Sequence, residues 1–316
     1  MDFYRKKREF NDIYQKIYVE CNEELEKLRK KARKERIIHL ILLPIVIVAG
    51  IIMLIAYTQI RILETNEIEA FKKIIISAIV IGVMTFIGNI FSNGEKKYNE
   101  VFKEKVIKRL VNLYGEGLKY RHKAAIGPHI YISAEFEPFD RLKSEDKISG
   151  TLGSGFNIEM ADIHAQIEYT NENGNSSYVT VYRGLFVEVQ TKAAVPSKVI
   201  VRKNNVMSEF GDTGKVEMDS GEFEKLYDVY CDNKIVAMQI FTADVMQMFI
   251  DLQELEPELT IKADKLYIRF KTGNTFEGNI FKDSLDYSTL KNYYDMILFV
   301  FSMADSIAKS IKESGM

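Results

Sequence analysis

Two uncharged apolar runs interrupt an otherwise highly charged N-terminal third. Residues 37–57, IIHLILLPIVIVAGIIMLIAY, contain no formal charge over 21 positions. As a helix rising about 1.5 Å per residue, such a run crosses a hydrocarbon core of about 30 Å. A second run, residues 74–91 (IIISAIVIGVMTFIGNIF), is 18 residues long and also uncharged. Together they predict two transmembrane helices joined by an external loop over 58–73. Pro44 lies inside the first run, where membrane helices tolerate it. A signal peptide is not expected, because 36 charge-rich residues precede the first run and no small-x-small cleavage site follows it.

Flanking both runs, the pattern changes to stripes at helical spacing. Phe10, Ile13, Tyr14, Ile17, Leu25, Leu28 and Ala32 recur every three or four residues among charges. Tyr98, Phe102, Val106, Leu110 and Leu113 do the same after the second run. These matching stripes predict that 1–36, a basic amphipathic helix, and 92–114 continue the membrane helices as a cytosolic stalk. In that stalk, residues 9–36 should pack antiparallel to residues 95–114.

From residue 115 the texture changes to short alternating stretches broken by turn residues. Residues 178–190 (YVTVYRGLFVEVQ) read as a long strand, bulged or bent at Gly184. Two hairpins are expected, VYCDNKIVAMQIF turning at Asp232–Asn233 and LTIKADKLYIRF turning at Ala263–Asp264. Between them, TADVMQMFIDLQEL starts on a threonine cap and carries Val245, Met248, Phe249 and Leu252 on one face, which predicts a core helix. The stretches 171–177 and 211–221 are loops. Leu290, Tyr294, Ile297, Leu298, Phe301, Ala304, Ile307 and Ile311 then stripe a C-terminal helix within 284–316. Its densest apolar part is too short to span a bilayer. The expected fold is therefore α+β: a two-helix transmembrane hairpin (37–57 and 74–91), an antiparallel-sheet domain over 115–283, and the C-terminal helix.

Charge orients this arrangement. Lys27, Arg29, Lys30, Lys31, Arg33, Lys34 and Arg36 precede the first run, and Lys96, Lys97, Lys103, Lys105, Lys108 and Arg109 follow the second. The loop between holds Arg61, Lys72 and Lys73 against Glu64, Glu67 and Glu69. The positive-inside rule then places both termini in the cytoplasm and the chain in the cytoplasmic membrane. The cluster from Lys27 to Arg36 is also the candidate set of anionic-lipid contacts, each basic residue contributing ~1 kcal/mol near such a surface. Over the whole chain the net charge is −2, which gives no reason to expect nucleic acid. Gly82 and Gly88 are not at the four-residue step of close-packing helices, so no oligomeric state follows from the spans.

Candidate chemistry is sparse. Cys21 and Cys231 form no disulfide framework, and the four histidines show no metal-ligand spacing, so no metal or cofactor is expected. GTLGSG at 150–155 lacks both the Lys-Ser/Thr of a phosphate loop and the context of a dinucleotide fingerprint. It reads as a turn between strands. Asp162 and His164, two apart in MADIHAQIEY, would share one face of a strand and are the candidate acid–base pair. No nucleophile is marked beside them.

Three blocks carry a family resemblance: EDKISGTLGSGFNIEMADIHAQIEY, VYRGLFVEVQ and GEFEKLYDVYCDNKIVAMQIFTADVMQMFIDL. In order they resemble a bacterial membrane protein family of unknown function, domain of unknown function 3137, over roughly residues 135–285. The Phe-Glu-Lys…Val-Tyr…Asp block near 223–232 is the most telling. Where many members have Leu-Thr-Pro before a helix, this chain has Phe241, Thr242 and Ala243; the cap is kept and the N1 proline lost. The resemblance implies one or two N-terminal spans and supplies no activity, cofactor or catalytic residue. Three function classes follow: a membrane-tethered, non-catalytic module that binds a protein or small ligand at the inner face, an enzyme of unrecognised type acting there, and a structural subunit of a membrane assembly.

Overall fold

The computed structural model describes residues 3–62, 67–90, 93–114, 117–171, 174–204 and 214–314. Helix α1 (Phe3–Ile62) is continuous, and Pro44 does not end it. Helix α2 (Glu67–Ile90) follows, then α3 (Gly94–Phe102), a π turn (Lys103–Ile107) and α4 (Lys108–Asn112). The first apolar run is thus continuous with the amphipathic stretch before it, as the matching spacing predicts. The expected loop over 58–73 is largely helical too, since α1 runs on to Ile62 and α2 begins at Glu67; residues 63–66 between them lie outside the described residues.

Then come β1 (Lys119–Arg121), α5 (Pro128–Ser133), β2 (Arg141–Thr151), β3 (Asn157–Thr170), β4 (Ser176–Lys203), β5 (Lys215–Val216), α6 (Gly221–Glu224), β6 (Tyr227–Cys231), α7 (Lys234–Ile240), α8 (Ala243–Asp251), β7 (Glu258–Phe270) and α9 (Tyr287–Glu313). Seven strands among the described residues form one antiparallel sheet, ordered β1-β2-β3-β4-β6-β5, with β7 also pairing β4. The α+β class with an antiparallel sheet, a long apolar N-terminal helix and a C-terminal helix is therefore as expected.

The chain forms two compact units. The first contains residues 1–13, 106–277 and 287–316. Its sheet is covered on both faces. On one, Ala161, Ile163, Ala165, Tyr182, Phe186 and Tyr267 join Tyr131 of α5 in a core cluster. The opposite face carries Ile158, Met160, Leu185, Val187, Val189 and Ile268, all buried, and α9 buries its stripe from Leu290 to Ile311. A charged network lies beside the first cluster. The guanidinium groups of Arg202 and Arg269 stack on the Phe136 ring at 4.4 and 4.3 Å, and Arg269 is paired to Glu137 and Glu258.

The second unit contains residues 14–105 and 278–286. Gly94 of α3 lies against Ala32 and Glu35 of α1, while Lys105 reaches Glu24. As the number rises on one helix it falls on the other, so α3 runs antiparallel to α1. Ile17, Leu25, Tyr98 and Phe102 are buried, as the stripes require. Segment 278–286 is fastened to the same helices. Arg29 donates to both carboxylate oxygens of Glu26 at 2.8 and 2.7 Å and to the Ile280 carbonyl at 3.3 Å. The Ser284 amide donates to Glu26 at 2.9 Å, Tyr14 Oη to the Leu285 carbonyl at 3.0 Å, and the Gly278 amide to Asn99 at 3.1 Å. Gly278 has no room for a side chain, because a Cβ there would sit 2.6 Å from the Tyr98 ring.

Three local expectations are corrected. The stretch 229–241 is not a hairpin: β6 ends at Cys231 and Asn233 caps α7, accepting from the Ile235 amide. Val236, Ala237 and Ile240 are buried at helical spacing while Ile235 is 68% exposed, so the cap and the three-four step win over strand propensity. The stretch 259–270 does not turn at Ala263–Asp264 either. It is one strand, β7, with Ala263 at φ +52°, and β4 pairs it on both sides of that kink. Finally, the irregularity of β4 against β3 is not at Gly184. It falls where Ala165 pairs Tyr182 and Gln166 pairs Thr180, leaving Val181 extra. Gly184 serves a close approach instead, since a Cβ would lie 2.1 Å from the Phe270 carbonyl oxygen.

Candidate functional site

Strand alternation sets Ile158, Met160, Asp162 and His164 on one face of β3. The first two belong to the apolar core; the last two line a cavity of about 340 Å³ with Lys143, Ser144, Glu145 and Arg183. The register explains the gathering: Lys143 pairs His164 and Glu145 pairs Asp162 across β2–β3, and His164 pairs Arg183 across β3–β4. Sequence reading found Asp162 and His164. It missed Lys143 and Arg183, because only the strand register puts them in the same row.

Asp162 is 3% exposed and accepts a hydrogen bond from the Thr275 amide at 2.9 Å. Burial pushes its carboxyl up to about 6, against the bonds from Thr275 and the nearby Arg183 charge. His164 is the terminus of a different set of bonds. Its Nδ1 lies 3.3 Å from Arg183 Nη1 and its Nε2 lies 2.8 Å from Thr180 Oγ1. A guanidinium can only donate, so Nδ1 accepts and the ring proton resides on Nε2, which donates to Thr180. Burial lowers the imidazole pKa, and the charges of Arg183, Lys143 and Arg141 lower it further, which favours this neutral form.

That tautomer bears on acid–base chemistry. In an Asp–His relay, the carboxylate accepts from one ring nitrogen and leaves the other free to take a proton. Here one nitrogen is occupied by a cation and the other is protonated. Asp162 and His164 share a cavity without sharing a proton path. The arrangement suits holding a ligand better than moving protons.

A second groove, about 650 Å³, borders the first through Arg183, which lines both, and includes Thr180. Its cations are internally neutralised: Lys203 and Lys271 pair with Glu256, and Arg269 with Glu258. Next to the first cavity, which Glu145 lines, Glu145, Asp146 and Glu277 bring one carboxylate oxygen each within 4.8 Å of one another, and Tyr120 donates to Asp146. Only Glu145 of the three is exposed, Asp146 being buried against Tyr120, and three carboxylates alone do not make a metal site.

On α1, Lys27, Lys30, Lys31, Arg33, Lys34 and Arg36 are exposed, whereas Arg29 is buried on Glu26 and Ile280. Arg29 is therefore withdrawn from the candidate lipid contacts. Its helical phase places it on the inner face of the stalk, which the count of positive charges does not reveal.

Residues 180–309 match the model of a family described as "Protein of unknown function (DUF3137)", as the resemblance implied. The match starts inside β4 rather than near residue 135 and runs on through most of α9. No curated protein matches the chain. Among solved structures, the crystal structure of the mycobacterial trehalose monomycolate transport factor A is similar at 10% identity and a TM-score of 0.35, covering 64% of this chain and 94% of that one. A likeness at that level carries no argument about fold or function.

Proposed function

We propose that this chain is a binding module tethered to the cytoplasmic membrane by two helices, with its sheet domain and both termini in the cytosol. One observation carries the reading. In α1 the large apolar side chains of residues 37–57 are mostly left out of any core, with only Ala49 and Ala56 buried: Leu40 is 55% exposed and Leu54 66%. One helix among the described residues is long and apolar enough to cross a membrane, and it contains this stretch. Each exposed leucine forgoes about 2 kcal/mol of burial, so a continuous face of them requires another apolar phase. The apolar part of α2, Ile74–Phe86, is shorter, but α3 antiparallel to α1 supports a return through the same bilayer.

The module binds rather than catalyses. Support comes from the His164 tautomer and from the absence of any bond joining Asp162 to His164 among the described residues. Two spans then keep the module at high local concentration near membrane-bound partners, a protein at the inner face being the expected class. Exchanging Asp162 for Asn removes the candidate acid–base carboxylate and should leave function in a cell-based assay intact if the fold is preserved. Loss of function in a stably folded Asp162→Asn variant would replace the binder with an enzyme.

A further inference from the structure

The cations of the Asp162–His164 cavity differ from those of the neighbouring groove. Among the described residues, no carboxylate lies within ion-pair distance of Arg183 or Lys143, whereas Lys203, Lys271 and Arg269 are all paired. Arg183 is half-buried, and its Nε is a buried atom without a hydrogen-bond partner. A guanidinium taken this far from water normally has an anion facing it.

The bonds around His164 all point donors in one direction. Arg183 donates to Nδ1, Nε2 donates to Thr180 Oγ1, and the Thr180 hydroxyl proton is left to point onward. Each bond polarises the next, so the chain ends in a strengthened hydroxyl donor. The β-bulge makes this possible. With Val181 extra, Thr180 takes the position opposite Gln166 on the face that holds His164 and Arg183. In an unbroken ladder that position would belong to Val181, which has no donor. Lys143 adds an ammonium from the paired position on β2.

We propose that Lys143, Thr180 and Arg183, with His164 as the positioning residue between the last two, form a binding site for a small phosphate-type oxyanion. Lys143 and Arg183 line the cavity of about 340 Å³, which admits a phosphate or a phosphomonoester head, and Thr180, bonded to His164, adds a third donor from the adjoining groove that Arg183 also lines. Glu145 and Asp162 border the same space and oppose the anion when ionised, which sets a direction with pH. Around His164 the facing charges are Arg141, Lys143 and Arg183; around Asp162 they are Arg183 and Asp146. Protonation of Asp162, which titrates at about 6, removes a repelling charge, so sulfate, whose charge is fixed in this range, should bind more tightly as pH falls from 7 to 6. The proposal rests on reading the domain as a binder.

The test uses the full-length chain in zwitterionic-lipid nanodiscs, with the ring nitrogens of His164 followed by NMR and assigned through His164→Gln. Inorganic phosphate should shift the His164 signals saturably, and the bound anion should raise its pKa. Arg183→Gln should weaken the response by about tenfold or more and Thr180→Val by about threefold. The other histidine signals report that each variant is folded. Nanodiscs containing phosphatidylglycerol, without added phosphate, form the second arm. A His164 shift there identifies a lipid headgroup as the source of the same oxyanion; a shift only with free phosphate identifies a soluble one. No shift in either arm, or an equal response to chloride, overturns the site. Turnover of a chromogenic phosphomonoester would leave the site standing but overturn the binder reading beneath it, so the two failures are distinguishable.

Discussion

The two compact units put similar apolar side chains to opposite uses. In the sheet unit, Leu185, Val187, Val189 and Ile268 are wholly buried between β4, β7 and α9. In the helical unit, α1 buries a face at Ile17, Cys21, Leu25 and Ala32, and between residues 37 and 57 most leucines and isoleucines are exposed. The charges differ in the same way. The sheet unit encloses Arg269 with the carboxylates of Glu137 and Glu258 and Arg202 with carbonyl oxygens, while α1 keeps six basic residues in solvent beside its apolar stretch. One unit buries its apolar side chains within its own chain; the other leaves a long apolar stretch of α1 uncovered.

Removing a charge from inside the sheet unit should have the largest effect. Glu258→Gln leaves Arg269 and Arg202 underpaired in a buried setting and should cost about 3–5 kcal/mol in denaturant unfolding. A loss below about 1 kcal/mol would mean that the network is solvated and the contrast between the units is overstated.

Asp162→Asn should act in the opposite sense. Its carboxyl is raised in the folded state, so the native protein holds a proton that the unfolded chain has released. Stability is fully present below about pH 4 and falls as pH rises through about 6. At pH 7 the variant should therefore be more stable than the parent, on the order of 2 kcal/mol, and the slope between pH 4 and 6 should flatten. An unchanged slope would assign it to other carboxylates.

In the helical unit the Glu26 clasp should matter less, and locally. Burial acts to raise Glu26, but the bonds from Arg29 and Ser284 outweigh it and hold the carboxyl at about 2. A depressed pKa stabilises above about pH 4.5 and is lost as pH falls toward 2. Glu26→Gln should cost about 1–2 kcal/mol, seen as faster amide exchange across 278–286 with little change in the sheet amides. Uniformly faster exchange would show that the two units unfold as one. Smallest of all, Lys30→Gln with Lys34→Gln should change stability by less than about 0.5 kcal/mol. A larger loss would mean these lysines hold the stalk rather than face solvent.

What the sequence disclosed follows the same division. In α1 and α3 a stripe at 3.6-residue spacing is self-contained information, and the buried residues Ile17, Leu25, Tyr98 and Phe102 could be named from it. In α8 the Thr242 cap was equally local. The sheet depends on partners far along the chain. Ala263 looked like a turn because a kinked strand and a hairpin share the same local signal, and only β4 alongside decides between them. Asp232–Asn233 misled because an asparagine can open a hairpin or cap a helix. In the cavity, Asp162 and His164 were visible as an alternation of two, while Arg183, and Thr180 in the adjoining groove, were not, since a one-residue bulge at Val181 sets their place.

The central claim is that the exposed apolar face of α1 belongs in a bilayer crossed twice. It is tested most directly by a reporter enzyme that matures only outside the cytoplasm, inserted at Thr65 in one fusion and after Met316 in another, with expression of both verified. The account predicts activity from the Thr65 fusion and none from the Met316 fusion. Activity after Met316, or silence from both positions, would contradict it.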